Sequence, residues 1–245
     1  MNIVSVDFQI ATTFELSDNE VHLWRIDLDA LRPSEVRWQK ILSSDEAARA
    51  ARFHFAVDRQ RFSISRGVLR TILACYLGAD AKGLRFSYSN KEKPSLREPF
   101  SESGVTFNIS HSGAIALLAF ARRRDVGVDV EQVRSDFEVE GIANRFFSEH
   151  ERQQLAVLSQ EQRFEAFFRC WTRKEAYIKA TGDGLSLPLH QFDVSILPGH
   201  SDALIATRPD QSEARRWLLR EVPAGDGYVA ALCVRGRDWK LKDWR

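Results

Sequence analysis

Cysteine is scarce in this 245-residue chain, and its three cysteines stand far apart. Cys75, Cys170 and Cys233 match neither the paired spacing of a zinc site nor a disulfide framework. We therefore expect reduced, mostly buried thiols, as in a cytoplasmic protein.

A long apolar run and an excess of one charge are also missing. The longest apolar run, residues 114–121, is far too short to cross a bilayer. The first residues include Asp7 and lack the basic region that opens a secretory signal. The formal net charge is +1, so any anion must be bound by local groups. These absences predict a soluble, cytoplasmic protein with no membrane or nucleic-acid partner.

Strand and helix patterns are present in both halves of the chain. Each half reads as a strand, then helices, then several strands, which indicates an α+β fold. We find no convincing sequence repeat, although this order is compatible with a duplicated layout. The charged turn at residues 122–125 is the clearest boundary. We therefore predict two α+β halves, over residues 1–122 and 123–245.

Two helix starts carry a capping box, in which a serine and a glutamate three residues later satisfy backbone N–H groups. The boxes are Ser43 with Glu46 and Ser148 with Glu151. A longer helix follows each, over about residues 58–77 and 161–180, and each is ended by glycine, at Gly78 and Gly182.

The first two helices are rich in arginine. The simplest interpretation of most of these side chains is a solvated basic face. They are Arg49, Arg52, Arg59, Arg61, Arg66 and Arg70.

Two carboxylates, Asp129 and Glu131, stand two residues apart on a predicted strand. Alternation puts both on one face, about 6–7 Å apart, while Val128 and Val130 face the core. Hard oxygen ligands in this arrangement suit Mg²⁺. An exposed strand end with solvated acidic residues is the alternative.

Glu175 occupies an unusual position on the predicted helix over residues 161–180. On a helical wheel it lies about 20° from Phe164, inside a stripe of aromatic residues. Desolvation of a carboxylate there is costly unless a cation or strong donor meets it. Lys179 lies one turn further on. The alternative is a partly exposed glutamate in an ordinary salt bridge with Lys179.

Residues 107–113 form a third candidate. The predicted strand closes on Ser110, His111, Ser112 and Gly113, which would offer backbone N–H groups and a histidine to an anion. A structural histidine is the alternative.

Taken together, these segments resemble a known family. Residues 107–113, 127–131, 145–148 and 171–179 look like the signature set of the 4′-phosphopantetheinyl transferases, in order and spacing. They are similar to the larger, monomeric Sfp type. The resemblance covers roughly residues 40–196 and includes Arg49 and Lys93.

The resemblance implies two similar α+β halves related by a pseudo-twofold axis, with coenzyme A in the cleft between them. It implies transfer of phosphopantetheine from coenzyme A to a serine of an apo acyl or peptidyl carrier protein. Adenosine 3′,5′-bisphosphate would be released. Mg²⁺, or Mn²⁺ in its place, would be held by Asp129, Glu131 and Glu175.

Further roles follow from the same resemblance. Glu175 and Lys179 would be catalytic, with Glu175 a metal ligand, a general base, or both. Lys179 would also contact the pyrophosphate. The adenosine-phosphate end would be held by Arg49, Lys93, Ser110 and His111. Glu92 replaces a glycine common in relatives, which puts the Lys93 contact in question.

Two other functions are compatible with parts of this pattern. Acidic clusters alone would allow a Mg²⁺-dependent phosphohydrolase acting on a nucleotide. A non-catalytic module that binds coenzyme A or a carrier protein is the other. Retention of all three carboxylates together with Lys179 argues against the module, and the basic groups argue against the hydrolase.

Overall fold

A mixed four-stranded sheet and an antiparallel three-stranded sheet form the centre of the computed structural model, which describes residues 14–91, 93–136 and 138–244. One sheet has the strand order β11-β1-β5-β4 and the other β6-β10-β9, while β2-β3 and β7-β8 are small hairpins. The strands are β1 Glu20–Asp27, β2 Phe86–Tyr88, β3 Pro94–Leu96, β4 Val105–Ser112, β5 Ile115–Arg122, β6 Val126–Gln132, β7 Phe192–Val194, β8 Leu204–Thr207, β9 Trp217–Glu221, β10 Tyr228–Arg235 and β11 Lys240–Trp244.

Six α-helices lie within the described ranges. They are α1 Glu35–Gln39, α2 Ser44–Ala50, α3 Ala56–Leu77, α4 Val139–Phe146, α5 Glu149–Ala156 and α6 Gln160–Thr181. The predicted α+β class is confirmed. No helix in these ranges is long and apolar enough to cross a membrane.

The helix ends agree with the predictions from sequence. Helix α2 begins directly after Ser43, and α5 begins directly after Ser148. Helices α3 and α6 end at Gly78 and Gly182, with φ angles of 60° and 80°. Such left-handed φ values are strained for residues with a Cβ, which explains glycine at both ends. Helix α2 ends at Ala50.

Two strand predictions were wrong. Strand β4 was expected to open into a turn at Ser110, but it continues through Ser112. Ser110 and His111 are paired there with Leu117 and Ala116 of β5, so they belong to a strand of the sheet rather than to a free strand end. The last described residues, for which no strand was predicted, form β11, which pairs in parallel with β1.

Gly127 allows α6 to pack directly on β6. A Cβ at this position would lie 2.2 Å from the carbonyl oxygen of Ala176 and 2.3 Å from the backbone nitrogen of Ala180. Only glycine fits such a contact. The close approach brings α6 next to the strand that carries Asp129 and Glu131. The division at residue 122 and the pseudo-twofold relation stay predictions.

Candidate active site

Strand β4 of the first sheet lies beside β6 of the second and supplies hydroxyl groups to its carboxylates. Ser110 donates to Oδ1 of Asp129 at 2.8 Å, and Ser112 donates to Oε2 of Glu131 at 2.8 Å. The Ser112 oxygen also accepts a hydrogen bond from the backbone N–H of Gln132 at 3.1 Å. Both serines face β6 because alternate residues of a strand point the same way. Asp129 and Glu131 therefore lie on the same face of β6, as predicted, and serines of β4 hold both carboxylates there.

Lys179 joins this group from α6. Its Nζ lies 2.6 Å from Oδ1 of Asp129 and 3.1 Å from Oγ of Ser110. Burial by itself would lower the pKa of Lys179, but Asp129, Glu175 and Glu131 outweigh it and raise the pKa. Lys179 is therefore a firmly charged ammonium group beside three carboxylates.

The strand carboxylates are incompletely paired. Asp129 is 3% exposed, and its Oδ2 is buried without a hydrogen-bond partner among the described residues. Burial, followed by the charge of Asp129, raises the pKa of Glu131, although Ser112 and Lys179 act the other way. A buried carboxylate oxygen without a partner is costly, so this site favours a further cation.

Glu175 lies on a stripe of α6 that is less buried than the rest of the helix between residues 166 and 180. Over this range every residue is buried except Trp171, Glu175 and Lys179, which are one turn apart and half-buried. Burial raises the pKa of Glu175 to about 7, and Asp129 and Glu131 add to the rise against Lys179. No described residue donates a hydrogen bond to its carboxylate. The predicted desolvation of Glu175 is confirmed, and the ordinary salt bridge with Lys179 is not formed.

The three carboxylates of this site have the chemistry that a divalent cation requires. Asp129, Glu131 and Glu175 offer carboxylate oxygens, which are the ligands Mg²⁺ prefers. A bound cation would give the Oδ2 atom of Asp129 a partner. It would also lower the raised pKa of Glu175. As placed, no three metal-ligating side chains within the described ranges are close enough to form a metal cluster. The residues fit the ion chemically, and the metal site stays a prediction.

A cavity of about 850 Å³ adjoins Lys179. Its wall comes from α2, α3, the β2-β3 hairpin, β4 and the end of α6. Of the described lining residues, six are lysine or arginine and two are carboxylates, Asp45 and Glu46. The cations are Arg49, Arg52, Arg66, Lys91, Lys93 and Lys179. The size suits a nucleotide-sized ligand, and the charge suits an anionic one.

The structure brings most predicted binding residues to this cavity. Arg49, Lys93, His111 and Lys179 all line it. Ser110 lies behind the wall, because its hydroxyl proton is directed to Asp129 and its oxygen lies near Lys179. Its predicted contact with the adenosine-phosphate end stays untested.

Lys93 reaches from the β2-β3 hairpin to the second half. Its Nζ donates to the carbonyl oxygens of Ala180 at 2.9 Å and Val126 at 3.4 Å. Burial lowers its pKa. Lys93 therefore ties the hairpin to the C-terminal end of α6 while lining the cavity. Glu92, whose effect on Lys93 was in question, lies outside the described residues.

His111 faces the cavity from β4 on the side opposite to Ser110 and Ser112. The protein around the ring lowers the pKa of His111, and Lys179, Arg61 and Arg49 lower it further, although the side chain keeps contact with solvent. A neutral ring next to several cations is an environment that favours an anionic ligand.

Sequence reasoning missed an ion cluster in the cavity wall. Arg66 is 7% and Arg70 is 1% exposed, so the solvated-face interpretation is wrong for both. Arg66 lies 2.6 Å from Glu46 and Arg70 lies 2.5 Å from it. The i,i+4 spacing of the two arginines and the capping-box position of Glu46 were the available signals.

Comparison with known proteins places both parts of this site in one family. Residues 125–233 match the family model "4′-phosphopantetheinyl transferase superfamily", and residues 30–123 match "4′-phosphopantetheinyl transferase, N-terminal".

Two individual relatives carry the same family name. The 4′-phosphopantetheinyl transferase HetI of Nostoc sp. is 42% identical over 229 residues, covering 94% of this chain and 93% of the relative. The 4′-phosphopantetheinyl transferase Sfp of Bacillus subtilis is 28% identical, covering 83% and 86%. A solved structure, holo-(acyl-carrier-protein) synthase of Thermotoga maritima, is 23% identical with a TM-score of 0.36, covering 46% of this chain and 63% of that one.

Proposed function

The chain belongs to the 4′-phosphopantetheinyl transferase superfamily, and on that premise we propose that it transfers phosphopantetheine from coenzyme A to an apo carrier protein. The acceptor is a serine of an acyl or peptidyl carrier, Mg²⁺ is required, and adenosine 3′,5′-bisphosphate is released. The observation that carries the proposal is the junction at Lys179, where a cationic cavity adjoins three carboxylates.

The cavity supports coenzyme A as the donor. Coenzyme A carries a pyrophosphate and a 3′-phosphate, so its site needs several cations in one place. Arg49, Lys93 and His111 would hold the adenosine-phosphate end, and Ser110 would contribute through Lys179. The half formed by residues 1–122 would thus bind the nucleotide, and the half formed by residues 123–245 would carry the chemistry.

Asp129, Glu131 and Glu175 would hold Mg²⁺. A bound divalent cation would supply charge neutralisation to the phosphate oxygens. Ser110 and Ser112 keep the strand carboxylates in place through the hydrogen bonds described above. Such supporting contacts orient ligands before the ion arrives.

The transfer step is an exchange of one phosphorus–oxygen bond for another. The serine oxygen forms a bond to the phosphorus that bears the pantetheine arm, while the bond from that phosphorus to the bridging oxygen breaks. The serine proton passes to the Glu175 carboxylate, whose pKa of about 7 suits a general base at neutral pH. Nζ of Lys179 would balance the charge that develops on the departing phosphate.

The test is incubation of the purified protein with coenzyme A, Mg²⁺ and a panel of apo carrier proteins. We expect intact mass spectrometry to show one phosphopantetheinyl group added to at least one carrier. Release of inorganic phosphate without an adduct would support the nucleotide phosphohydrolase instead. Binding of coenzyme A with neither product would support the non-catalytic module. A carrier with its acceptor serine replaced by alanine is the matched control.

A further inference from the structure

A second cavity, of about 370 Å³, adjoins the C-terminal part of α6. Three aromatic side chains line it, Tyr177 of α6, Phe192 and Trp217. The ring of Tyr177 packs edge-on against the other two, with centroids 4.8 and 5.7 Å away. Tyr177 lies two residues from both Glu175 and Lys179, which on a helix is about 200° around the axis. The second cavity and the candidate active site therefore lie on opposite faces of one helix.

The hydroxyl group of Tyr177 is open to the second cavity and has no partner among the described residues. Tyr177 is 2% exposed, and no described residue forms a hydrogen bond with its hydroxyl oxygen. Protein does not enclose that oxygen completely, so it meets the cavity that Tyr177 lines. A phenol hydroxyl both donates and accepts hydrogen bonds. Buried polar side chains normally have a partner, so this one indicates a ligand.

The lining of the second cavity carries more negative than positive charge. The charged residues in it are Asp125, Asp183, Asp210, Glu213, Arg208 and Arg235. Both arginines are already paired with aspartates, Asp193 and Asp125. Asp183 and Asp210 have no ion-pair partner in the described part of the chain. The second cavity therefore offers two unpaired carboxylates and a hydroxyl to a cation.

The positions of these acceptors favour an organic cation over a metal ion. Asp183 follows α6, whereas Asp210 lies in the loop after β8 and is held there by the backbone N–H and the hydroxyl of Ser212 at 2.8 and 2.7 Å. Between them the lining is aromatic. Hard metal ions take a shell of six or more oxygen atoms, about 2.0–2.6 Å away, which aromatic rings do not supply. Organic cations are instead attracted to aromatic faces.

The same acceptors favour a guanidinium group over an ammonium group. A guanidinium group is planar, has its N–H donors spread around its edge, is weakly hydrated and stacks on aromatic rings. It can therefore meet a hydroxyl and two separate carboxylates at once. An ammonium group is a compact and strongly hydrated point charge, which matches spaced acceptors and aromatic walls less well. The volume of the cavity lies in the range of small-molecule sites, about 300–1,000 Å³.

We propose that the second cavity binds an alkylguanidinium group, which donates hydrogen bonds to the hydroxyl of Tyr177 and to the carboxylates of Asp183 and Asp210. The group belongs either to an arginine side chain of another protein or to a small molecule, because both present the same donors. The inference goes beyond the proposed transfer activity and does not depend on it.

The test is an NMR titration of the isotope-labelled protein with three compounds. N-acetyl-arginine methylamide presents the guanidinium group as a protein side chain does, and agmatine presents it as a small molecule does. N-acetyl-citrulline methylamide carries a neutral urea of nearly the same shape and is the matched control. We expect at least one cationic compound to shift the amide signals of residues 177–183 and 207–213, and the citrulline compound to shift none of them. The cation that binds more tightly identifies the source of the group.

Three variants test the named contacts. Tyr177→Phe removes only the hydroxyl and is expected to weaken binding of the cation about tenfold. Asp183→Asn removes an exposed carboxylate and is expected to weaken binding about threefold. Asp226→Asn removes an exposed carboxylate outside the second cavity, so it is expected to leave binding unchanged.

Other outcomes would overturn the inference. Equal binding of the arginine and citrulline compounds would show that the second cavity does not select positive charge, and binding of none would show that it is not a site. Shifts confined to the amides around Asp129 and Glu131 would place the cation at the active-site carboxylates. Unchanged affinity in Tyr177→Phe would exclude the hydroxyl contact. If circular dichroism shows Tyr177→Phe to be unfolded, a double variant with Asp183→Asn and Asp210→Asn is measured instead, and unchanged affinity in it overturns the inference.

Discussion

The two 22-residue helices, α3 and α6, are built alike at both ends but use their buried ion pairs differently. Each follows a short helix that starts with a capping box, and each ends at a left-handed glycine. In both cases the capping-box glutamate is buried against a cation of the long helix. Glu46 meets Arg66 and Arg70, and Glu151 meets Lys174 at 2.8 Å.

The difference lies in what surrounds the two pairs. Glu151 and Lys174 are both 0% exposed, and Lys174 also donates to two carbonyl oxygens at 2.7 Å. The ammonium group has all three donors satisfied inside the core. Glu46 and Arg66 instead line the cavity. The capping-box glutamate therefore forms an enclosed core ion pair with α6, whereas with α3 it forms an ion pair in the wall of the cavity. In the proposed function the chemistry lies on the half-buried stripe of α6.

The largest effect is expected at that stripe. Glu175→Gln removes the carboxylate that would accept the serine proton, so we expect transfer to fall about 10²–10⁴-fold. Turnover is measured on an apo carrier. Glu161→Gln, an exposed position on the same helix, is the control and is expected to leave turnover unchanged. A Glu175→Gln enzyme with wild-type turnover would show that Glu175 is not the general base.

Glu151→Gln tests the closed pair. It leaves the Lys174 ammonium group without a counter-charge in a site that water does not reach, which costs about 3–5 kcal/mol of unfolding free energy. The dissociation constant for coenzyme A is expected to stay unchanged in the folded fraction. Urea unfolding and calorimetry measure the two quantities. Weakened coenzyme A binding would mean that the two pairs do not differ in role.

Glu46→Gln tests the open pair. We expect a smaller loss of unfolding free energy, about 2–3 kcal/mol, because Glu46 and Arg66 line the cavity and are less enclosed than Glu151 and Lys174. We also expect weaker coenzyme A binding, since Arg66 loses the carboxylate that holds its guanidinium group in the cavity wall. The same two measurements apply. A Glu46→Gln protein that loses stability but binds coenzyme A normally would reduce the Glu46 pair to a core device like that of Glu151.

The pH profile of transfer tests Glu175 again. A general base acts when deprotonated, so transfer is expected to rise with pH and level off above about 7. Below that value the rate falls about tenfold per pH unit. A metal ligand has a lower pKa, so raising Mg²⁺ would move the acidic limb to lower pH if Glu175 also binds the ion. A transfer rate that stays constant between about pH 5 and about pH 8, a range that includes that pKa, would contradict the assignment of Glu175 as the general base.

The same raised pKa has a consequence for stability. The folded-state pKa of Glu175 lies above its ordinary value of 4.5, so this carboxyl favours the folded state least when it is ionised in both states. Stability is lost as pH rises from about 4.5 through about 7, and Glu175→Gln is expected to remove that loss.

The smallest effect is expected at the helix ends. Gly78→Ala and Gly182→Ala each force a Cβ into a left-handed φ, at a cost of about 1 kcal/mol. A Cβ at Gly78 meets nothing within 4 Å, and one at Gly182 meets only Lys93 at 3.8 Å. The two thermal unfolding shifts are therefore expected to be equal. A clearly larger shift for Gly182→Ala would show that the end of α6 is held by more than backbone conformation.

Features governed by neighbouring residues were predictable from the sequence. The capping boxes at Ser43 and Ser148 and the glycine stops involve groups only a few residues apart. The alternation around Asp129 placed both carboxylates on one face for the same reason. The wheel position of Glu175 also foretold a desolvated carboxylate.

Features that depend on distant partners were not predictable. Arg66 and Arg70 were interpreted as solvated because their partner Glu46 lies in the preceding helix, 20 and 24 residues away in the chain, and their spacing alone does not show that pairing. Strand β11 was missed because its neighbour is β1, and Trp244 stacks on Trp24 with a ring distance of 4.8 Å. The continuation of β4 through Ser112 depends on its pairing with β5. A local sequence pattern does not show which distant segment supplies the partner in such a pairing.

The most direct test of this division between a binding wall and a reacting helix is a calorimetric titration of coenzyme A into Glu175→Gln with Mg²⁺ present. Because the cations of the cavity are untouched, we predict a dissociation constant within about threefold of the wild type, or less than about 1 kcal/mol. Loss of coenzyme A binding in this variant would contradict the account, since Glu175 would then be required to bind coenzyme A and not chiefly for the transfer step.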